Sequence, residues 1–246
     1  MTEKTIPIVN TGLERPDLSL VIPCYNEEGV IRHTVCELAD CFGRHQIDVE
    51  LVVVDNGSRD GTGHVIDDLI REELPVTKVV VHTNCGYGNG VLTGFKACRG
   101  RYVGITASWA QVEALDVLRV YNLAARSRPN TLVKVRRRFR LDGILRKVTS
   151  ILYNFSMPLI FGRLGSIDIN GCPKIIRREH LNSMALHSRD WFLDAEIMIK
   201  AKRLGLDVLE INVFAQQRAG GSSHVNAATC WEFVVNIIKV RLFKTL

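Results

Sequence analysis

Short apolar runs alternate with segments of helical spacing along the first half of the chain, and this alternation restricts the possible folds more than any other feature. The apolar runs, which we predict to be strands, occupy residues 18–23, 49–58, 77–82, 101–107 and 131–136. The intervening segments, which we predict to be helices, occupy residues 27–42, 63–73, 86–100 and 113–126. Strands and helices that alternate at this spacing indicate βαβ units. We therefore expect an α/β fold with a mainly parallel sheet flanked by helices.

The second half of the chain has a less regular pattern. It contains a helical segment at residues 190–205, a strand at 207–213 and an amphipathic segment at 227–246. No internal repeat, low-complexity stretch or linker divides the sequence of 246 residues, a length that suits one large domain. We therefore expect a single domain that closes with a C-terminal amphipathic helix.

The turns after four of the predicted strands carry the candidate binding residues. These turns follow Pro23, Asp55, His82 and Thr106. In a parallel sheet, ligands bind beyond the carboxyl ends of the strands, so we expect the four turns to meet at one edge. Asp55 is followed by Asn-Gly-Ser, which places a carboxylate and free backbone N–H groups at that edge. The carboxylate can accept a hydrogen bond from a nucleobase, or the motif can be a well-capped turn.

Cysteine usage and hydropathy bear on the cellular compartment. The seven cysteines include no CxxC pair, which favours reduced thiols over disulfides or a zinc site. The N-terminal residues contain no signal-peptide core, and no segment has the roughly 18–20 uninterrupted apolar residues of a membrane-spanning helix. We therefore expect a cytoplasmic protein.

A basic segment beside an apolar one predicts contact with a membrane surface. Residues 134–147 contain seven Lys or Arg and one Asp, and residues 148–162 are apolar. The terminal segment, residues 227–246, also combines basic and apolar residues, a pattern that fits packing on the core equally well. Such a surface suits anionic lipid, and we expect peripheral contact with the cytoplasmic membrane face. We do not expect nucleic acid as a partner, because no recognised nucleic-acid motif accompanies the basic run.

Three motifs occur in the order and spacing of one protein family. They are LSLVIPCYNEEGVI (18–31), VELVVVDNGSRDGT (49–62) and NCGYGNGVLTGFKACRGRYV (84–103). With these motifs the chain resembles the family 2 glycosyltransferases of the GT-A fold, most of all the polyprenyl-phosphate sugar synthases. The resemblance continues through INGCPKIIRRE (169–179), WFLDAEIMIKAKRLGL (191–206) and RAGGSS (218–223). It implies transfer of a sugar, with inversion, from a UDP- or GDP-sugar to a polyprenyl phosphate or related acceptor.

The resemblance assigns residues 18–136 to the nucleotide sugar and residues 137–226 to the acceptor. On the donor side it implies contacts from Pro23, Tyr25, Glu27, Asp55, Gly86, Gly88 and Gln111. On the acceptor side it implies phosphate contacts from Arg137, Arg138, Gly220, Gly221 and Ser222. It places Asp194 and Glu196 at the reaction centre, with Arg218 on a loop that closes over the phosphates. The residues by themselves also fit a simpler interpretation, in which Asp194 and Glu196 are solvated residues in the first turn of a helix.

The chain differs from the family at the metal-binding motif. The motif is commonly Asp-Ala-Asp-Gly-Gln, and its aspartates fall on Ala107 and Trp109, while Gln111 matches the final Gln. Mg²⁺ requires oxygen ligands, so the divalent cation that the family implies lacks its two carboxylates here. Three explanations stay open: cations such as Arg218 replace the metal, other carboxylates bind it, or the chain is a catalytically impaired nucleotide-binding relative or a partner of an active paralogue. The candidate substitute carboxylates are Asp60, Glu113 and Asp116.

Overall fold

The computed structural model describes residues 15–108, 112–138 and 156–214, which form an α/β fold around one seven-stranded sheet. The strands are β1 (Leu18–Cys24), β2 (Val49–Asn56), β3 (Val76–Val81), β4 (Tyr102–Ile105), β5 (Thr131–Arg138), β6 (Lys174–Arg177) and β7 (Asp207–Phe214). The helices are α1 (Ile31–Arg44), α2 (Thr62–Arg71), α3 (Tyr87–Ala97), α4 (Ala114–Arg126), α5 (described over 156–161), α6 (Arg178–Ser183) and α7 (Leu193–Arg203). The predicted fold class is confirmed.

The sheet is mainly parallel, as the alternating pattern predicts. Its strand order is β3-β2-β1-β4-β6-β5-β7. The strands β1 to β4 pair in parallel with their neighbours among these four, and β5 pairs in parallel with β7. Among the described strands, only β6 runs antiparallel to its neighbours, β4 and β5. The carboxyl ends of β1 to β4 therefore lie at one edge of the sheet, which we call the rim.

The strand β6 and the helix α6 lie where the sequence analysis predicted no element. β6 has four residues, and its two apolar members, Ile175 and Ile176, are adjacent. So short a strand offers no alternating pattern of apolar and polar residues. Both isoleucines are nevertheless buried, because β6 fills the position between β4 and β5.

Helices cover both faces of the sheet, and the sheet separates two apolar cores. The first core joins α1 and α4 to one face, and its buried side chains include Phe42 and Val117. The second core joins α3 and α7 to the other face, and its buried side chains include Val91 and Met198. Burial of each such side chain contributes roughly 1.5–3 kcal/mol. The two cores fix the helices that carry the candidate site.

Some predictions concern residues outside the described ranges. These residues are Gln111, Arg218, Gly220, Gly221, Ser222, residues 139–155 of the basic and apolar stretch, and the terminal segment 227–246. The division of the chain into a donor half and an acceptor half also stays a prediction. Among the helices that the structure describes, none combines the length and the apolar character needed to cross a bilayer.

Candidate active site

The loops that follow β1 and β2 are fastened to each other at the rim. The side-chain oxygen of Asn26, a residue with a φ of 56°, accepts the backbone N–H of Arg59 at 2.8 Å. The backbone N–H of Asn26 donates to the Ser58 hydroxyl at 3.1 Å. The Glu28 carboxylate accepts the N–H of Gly61 at 2.6 Å. Because these bonds satisfy backbone groups of both turns, the two loops form one fixed wall, which we call the rim wall.

Glu27 and Asp60 extend the rim wall to the start of α2. The backbone N–H of Glu27 donates to the Thr62 hydroxyl at 2.8 Å, and the Glu27 side chain is buried. One oxygen of Asp60 accepts both the N–H and the hydroxyl of Thr62, and the other accepts the N–H of Glu28 at 3.2 Å. Although burial alone would raise the pKa of Asp60, these hydrogen bonds lower it. Asp60 therefore joins the loop after β1 to the turn that precedes α2.

The residues predicted to bind the nucleotide base lie on the rim wall. Pro23 and Cys24 end β1, and Cys24 is paired in register with Asp55 at the end of β2. One Asp55 oxygen accepts the N–H of Ser58 at 3.0 Å, and Asp55 and Tyr25 are both partly exposed. Burial raises the pKa of the Cys24 thiol well above its usual value, and nearby carboxylates raise it further. Asp55 therefore caps its turn and keeps part of its surface exposed at the rim.

Gly86 and Gly88 lie where the start of α3 packs tightly against the loop before α7. Gly86 has a φ of 104°, and a Cβ there would lie 2.5 Å from the carbonyl oxygen of Arg189. A Cβ on Gly88 would overlap the carbonyl oxygen of Ser188. The N–H of Asn89 donates to the Arg189 carbonyl at 2.8 Å. Close backbone packing therefore requires glycine at both positions, and their contact with the donor stays a prediction.

Two aromatic residues stack across the contact between α3 and the loop before α7. The ring centroids of Tyr87 and Trp191 are 4.6 Å apart, with 5° between the ring planes, and we call these residues the aromatic pair. Burial raises the pKa of the Tyr87 hydroxyl well above its usual value, and the nearby Asp194 carboxylate raises it further. The aromatic pair is therefore a neighbour of the residue predicted at the reaction centre.

Asp194 lies in the first turn of α7 and forms a buried ion pair. Its carboxylate contacts the Lys174 ammonium group, and the two side chains are 6% and 3% exposed. The Cys172 sulfur lies 3.7 Å from both groups. Although burial alone would lower the pKa of Lys174, the Asp194 carboxylate raises it above its usual value. Asp194 is therefore a buried, paired carboxylate rather than a solvated residue at a helix start.

A second buried ionic group surrounds Lys134 of β5. Its ammonium group contacts the Asp168 backbone carbonyl and lies 3.1 Å from the Glu210 carboxylate. Burial and the nearby charge of Lys174 lower the pKa of Lys134 to about 8. The Arg137 guanidinium binds the Asp168 carboxylate through two contacts of 2.9 Å. Although burial alone would raise the pKa of Asp168, Arg137 holds it well below the usual range. The guanidinium that we predicted to bind phosphate thus already binds a carboxylate.

Glu196 faces away from Asp194, whereas the resemblance implies that both face the reaction centre. Residues two apart on an α-helix point in roughly opposite directions. The fully buried Glu196 carboxylate accepts the N–H groups of His187 and Ser188, at 3.1 and 2.7 Å, and pairs with Lys200 at 2.7 Å. Although burial alone would raise the pKa of Glu196, Lys200 and Ser188 lower it. Glu196 therefore anchors the loop before α7.

The residues at the end of β4 do not suit a divalent cation. Ala107 offers no side-chain ligand, and no three His, Cys, Asp or Glu side chains lie close enough to hold a metal ion within the described ranges. Among the candidate substitutes, Asp60 caps its turn, and Asp116 pairs with Arg119 at 2.9 Å. Glu113 is exposed immediately before α4. The described residues thus give no support to a metal site built from substitute carboxylates.

Tyr87, Cys172 and Lys174 are neighbours of Asp194 that were not predicted from the sequence. All three lie inside motifs that carry the resemblance, but the resemblance assigns none of them a role. Lys174 offered a signal, because a lysine beside two isoleucines in a buried segment requires a counter-ion. Tyr87 offered a weaker signal, because it is an aromatic residue between two glycines.

Comparison with known proteins identifies the family of the chain. A model of glycosyl transferase family 2 matches residues 19–184, from β1 to the end of α6. The chain therefore belongs to glycosyltransferase family 2.

Curated relatives have names that specify polyprenyl phosphates. The chain is 29% identical over 215 residues to the undecaprenyl-phosphate 4-deoxy-4-formamido-L-arabinose transferase of Shewanella sediminis, a match that covers 84% of this chain and 61% of the relative. It is 26% identical over 250 residues to the dodecaprenyl-phosphate galacturonate synthase of Rhizobium johnstonii, covering 98% of this chain and 71% of the relative. The chain thus spans about three fifths of the length of the arabinose transferase.

A solved structure supports the GT-A fold. The glucosyl-3-phosphoglycerate synthase of Mycobacterium tuberculosis, in complex with Mn²⁺, UDP and glucosyl-3-phosphoglycerate, superposes with a TM-score of 0.72 at 20% identity. The match covers 92% of this chain and 80% of the synthase. A second complex of that synthase contains Mg²⁺ and UDP. At this identity the likeness shows the fold, and the bound ligands describe the synthase alone.

Proposed function

We propose that this chain transfers a sugar from a nucleotide diphosphate sugar, with UDP or GDP as the nucleotide, to a polyprenyl phosphate. The family match carries the proposal, because it extends without a break from the rim wall to β6, which holds Lys174. The acceptor class is supported by relatives named for undecaprenyl, dodecaprenyl and dolichyl phosphate.

In this proposal the nucleotide binds along the rim wall. Asp55 accepts a hydrogen bond from a nucleobase N–H with its exposed carboxylate surface, and Tyr25 borders the base. Pro23 and Glu27 shape the wall beneath the base and ribose. The fastened loops support this role, since a wall whose backbone groups are already satisfied loses little conformational freedom when a ligand binds.

The acceptor phosphate meets the sugar beside Asp194 and the aromatic pair. A phosphate oxygen forms a bond to the anomeric carbon while the bond from that carbon to the diphosphate breaks, and the electron pair leaves with the nucleotide. Attack from the face opposite the leaving group inverts the configuration. The acceptor needs no strong general base, because the second pKa of a phosphate monoester is about 6. In this proposal Asp194, paired with Lys174, is not a general base but positions the acceptor and stabilises positive character at the anomeric carbon.

We propose that protein cations neutralise the departing diphosphate. The described residues do not fit the divalent cation that the family implies, so no step here requires one. Arg218, on the loop that the resemblance places over the phosphates, and Arg138, at the end of β5, supply positive charge. Preorganised cations aimed at developing negative charge stabilise such transition states.

The lipid acceptor also motivates a proposed location. A polyprenyl phosphate presents its phosphate at a membrane surface, so we propose that the chain binds peripherally to the cytoplasmic membrane face. The basic stretch 134–147 and the apolar stretch that follows it suit anionic lipid. Sedimentation with vesicles that contain phosphatidylglycerol, compared with vesicles of phosphatidylcholine alone, tests this location.

A transfer assay tests the function. Radiolabelled UDP- and GDP-sugars are incubated with undecaprenyl phosphate and the full chain, in Mn²⁺, in Mg²⁺ and in EDTA, and lipid-linked product is extracted. We expect product from at least one donor and little loss in EDTA. Asp194→Asn should abolish most transfer, whereas Asp207→Asn, the same change at an exposed position that begins β7, should not. Absence of product from every donor contradicts the proposal.

The replaced aspartates favour a second candidate, a nucleotide-binding relative that has lost turnover and acts alone or with an active paralogue. Loss of a catalytic metal removes several kcal/mol of charge stabilisation. The double substitution Ala107→Asp with Trp109→Asp separates the candidates. A large gain of transfer in Mn²⁺ identifies an impaired enzyme, whereas an active wild-type chain that gains nothing supports transfer without a metal.

A further inference from the structure

A groove of about 390 Å³ runs between α3 and the segment that leads from α6 towards α7, and we call it the α3 groove. Its lining includes apolar side chains of Leu92, Phe95 and Leu186 and basic side chains of Lys96, His187 and Arg189. Neither Asp55 nor Asp194 nor the aromatic pair belongs to its lining. The volume lies within the range of roughly 300–1,000 Å³ that small-molecule sites occupy. The groove is therefore separate from the donor and acceptor positions proposed above.

The charged side chains of the α3 groove all have the same sign. Its lining contains Lys96 and Arg189 but no Asp or Glu among the described residues. The structure gives neither Lys96 nor Arg189 a carboxylate partner within the described part of the chain. Lysine and arginine residues that line one groove without counter-ions favour an anion, and the arginine fork matches two oxygens of a phosphate.

His187 is held in the wall of the groove by buried groups. Its Nδ1 lies 3.0 Å from the Glu196 carboxylate and 3.4 Å from the Lys200 ammonium group, while its side chain is 53% exposed. These contacts occupy Nδ1 and leave Nε2 for a ligand. Ala185, which also lines the groove, has a φ of 47°, and its carbonyl accepts a hydrogen bond from Lys200 at 2.8 Å. Non-glycine residues in this conformation concentrate at functional sites.

We propose that the α3 groove binds a phosphate monoester that carries a short apolar substituent. The phosphate oxygens accept hydrogen bonds from Lys96 and Arg189, and His187 Nε2 completes the set of polar contacts. The apolar substituent lies on the leucine and phenylalanine side chains of the floor. Each part of the ligand thus corresponds to one part of the lining.

Arg189 connects the α3 groove to the candidate active site. Arg189 lines the groove, and its backbone carbonyl accepts the N–H of Asn89 in the first turn of α3. A ligand that bridges Lys96 and Arg189 therefore holds α3 against the loop before α7. The same two elements carry Tyr87 and Trp191, so occupation of the groove fixes the spacing of the aromatic pair.

Isothermal titration calorimetry of the full chain with hexyl phosphate tests the proposal and requires no sugar transfer. We expect the paired substitution Lys96→Gln with Arg189→Gln to weaken binding at least about tenfold, because it removes both cations. Thr93→Trp, which fills the groove without changing charge, should also weaken binding. Arg126→Gln is the matched control, since it removes an exposed positive charge at the end of α4, against the opposite core.

Glucose 1-phosphate and inorganic phosphate distinguish the contribution of the phosphate to binding from that of the apolar substituent. Both should bind more weakly than hexyl phosphate, because neither places an apolar group on the floor. The proposal is overturned if the wild-type chain binds no hexyl phosphate at millimolar concentration. It is also overturned if the paired variant binds as tightly as the wild type, or if glucose 1-phosphate binds more tightly than hexyl phosphate. Thermal unfolding of each variant verifies folding, and Thr93→Trp carries the test if the paired variant does not fold.

Discussion

Tyr87 and Trp191 stack with 4.6 Å between ring centroids and 5° between ring planes, and this contact joins the two sides of the candidate active site. Tyr87 begins α3, which packs so closely on β1 that a Cβ at Gly94 would lie 2.6 Å from Val21. Trp191 lies shortly before α7, which carries Asp194. The aromatic contact therefore helps to fix the spacing between the rim wall and the buried ion pair, together with the hydrogen bond from the Asn89 N–H to the Arg189 carbonyl.

A double-mutant cycle on the aromatic pair measures this contact. We expect Tyr87→Ala and Trp191→Ala each to lower the free energy of unfolding, and the two effects to be coupled by about 0.5–1.5 kcal/mol, the range for stacked rings. Urea unfolding of the wild type, both single variants and the double variant gives the coupling energy. Trp191→Phe retains a stacking ring and should lose less stability than Trp191→Ala. Strictly additive effects would show that the rings do not interact in solution.

Removal of Lys174 tests the buried ion pair. Lys174→Met leaves the Asp194 carboxylate buried without its counter-ion, which we expect to cost about 3–5 kcal/mol of unfolding free energy. Adding Asp194→Leu should restore much of this loss, because no buried charge then lacks a partner. Urea unfolding measures both variants, and Arg44→Met, in the exposed pair with Asp40, is the control. Equal effects of Lys174→Met and Arg44→Met would contradict a buried pair.

Asp194 and Glu196 should differ in kinetics, because they face opposite sides of α7. We expect Asp194→Asn to lower kcat about 100-fold, the loss typical of a misplaced reactant. Glu196→Gln keeps an acceptor for the Ser188 N–H but loses the charge that pairs with Lys200. It should therefore lower the free energy of unfolding by about 1–3 kcal/mol and change kcat less than about threefold. Both variants remove the carboxylate that pairs with a buried lysine and should lose stability, so initial rates on preparations that urea unfolding shows to be folded separate the two roles. A Glu196→Gln variant as inactive as Asp194→Asn would refute the assignment.

The main elements of the fold were predictable because their patterns are local. The apolar runs that became β1 to β5 and β7 are long enough to show a strand, and the intervening helices show a period of 3.6 residues. The start of α1 was misplaced, at residue 27 instead of Ile31, because residues 26–30 form the loop fastened to the turn after β2. That fastening depends on contacts between loops from two different strands.

The candidate site was predictable only in part, for the same reason. The motif positions on the rim wall follow the family pattern, so the sequence located them. The stacking of Tyr87 on Trp191 and the pairing of Lys174 with Asp194 join distant segments, and no periodicity records such contacts. The orientation of Glu196 could have been inferred, since helical geometry already separates it from Asp194.

Stability should fall in acid because buried carboxylates hold low pKa values. For Asp168, Glu196 and Glu210, burial alone would raise the pKa, but their cationic and hydrogen-bonding partners lower it below the value in the unfolded chain, which is about 4. Below about pH 4 the unfolded chain therefore binds more protons than the folded protein. The stabilisation is fully present above that pH and is lost as the pH falls towards the folded pKa values.

Urea unfolding at pH 7, 5, 4 and 3 measures this loss. The midpoint should change little between pH 7 and 5 and fall below pH 4. Asp168→Asn removes the carboxylate that two contacts of 2.9 Å join to Arg137, so the variant should be less stable at pH 7 and lose less on acidification. Asp207→Asn, at an exposed position, should follow the wild-type profile. If Asp168→Asn lost as much stability between pH 5 and 3 as the wild type, its pairing with Arg137 would not contribute to the acid sensitivity.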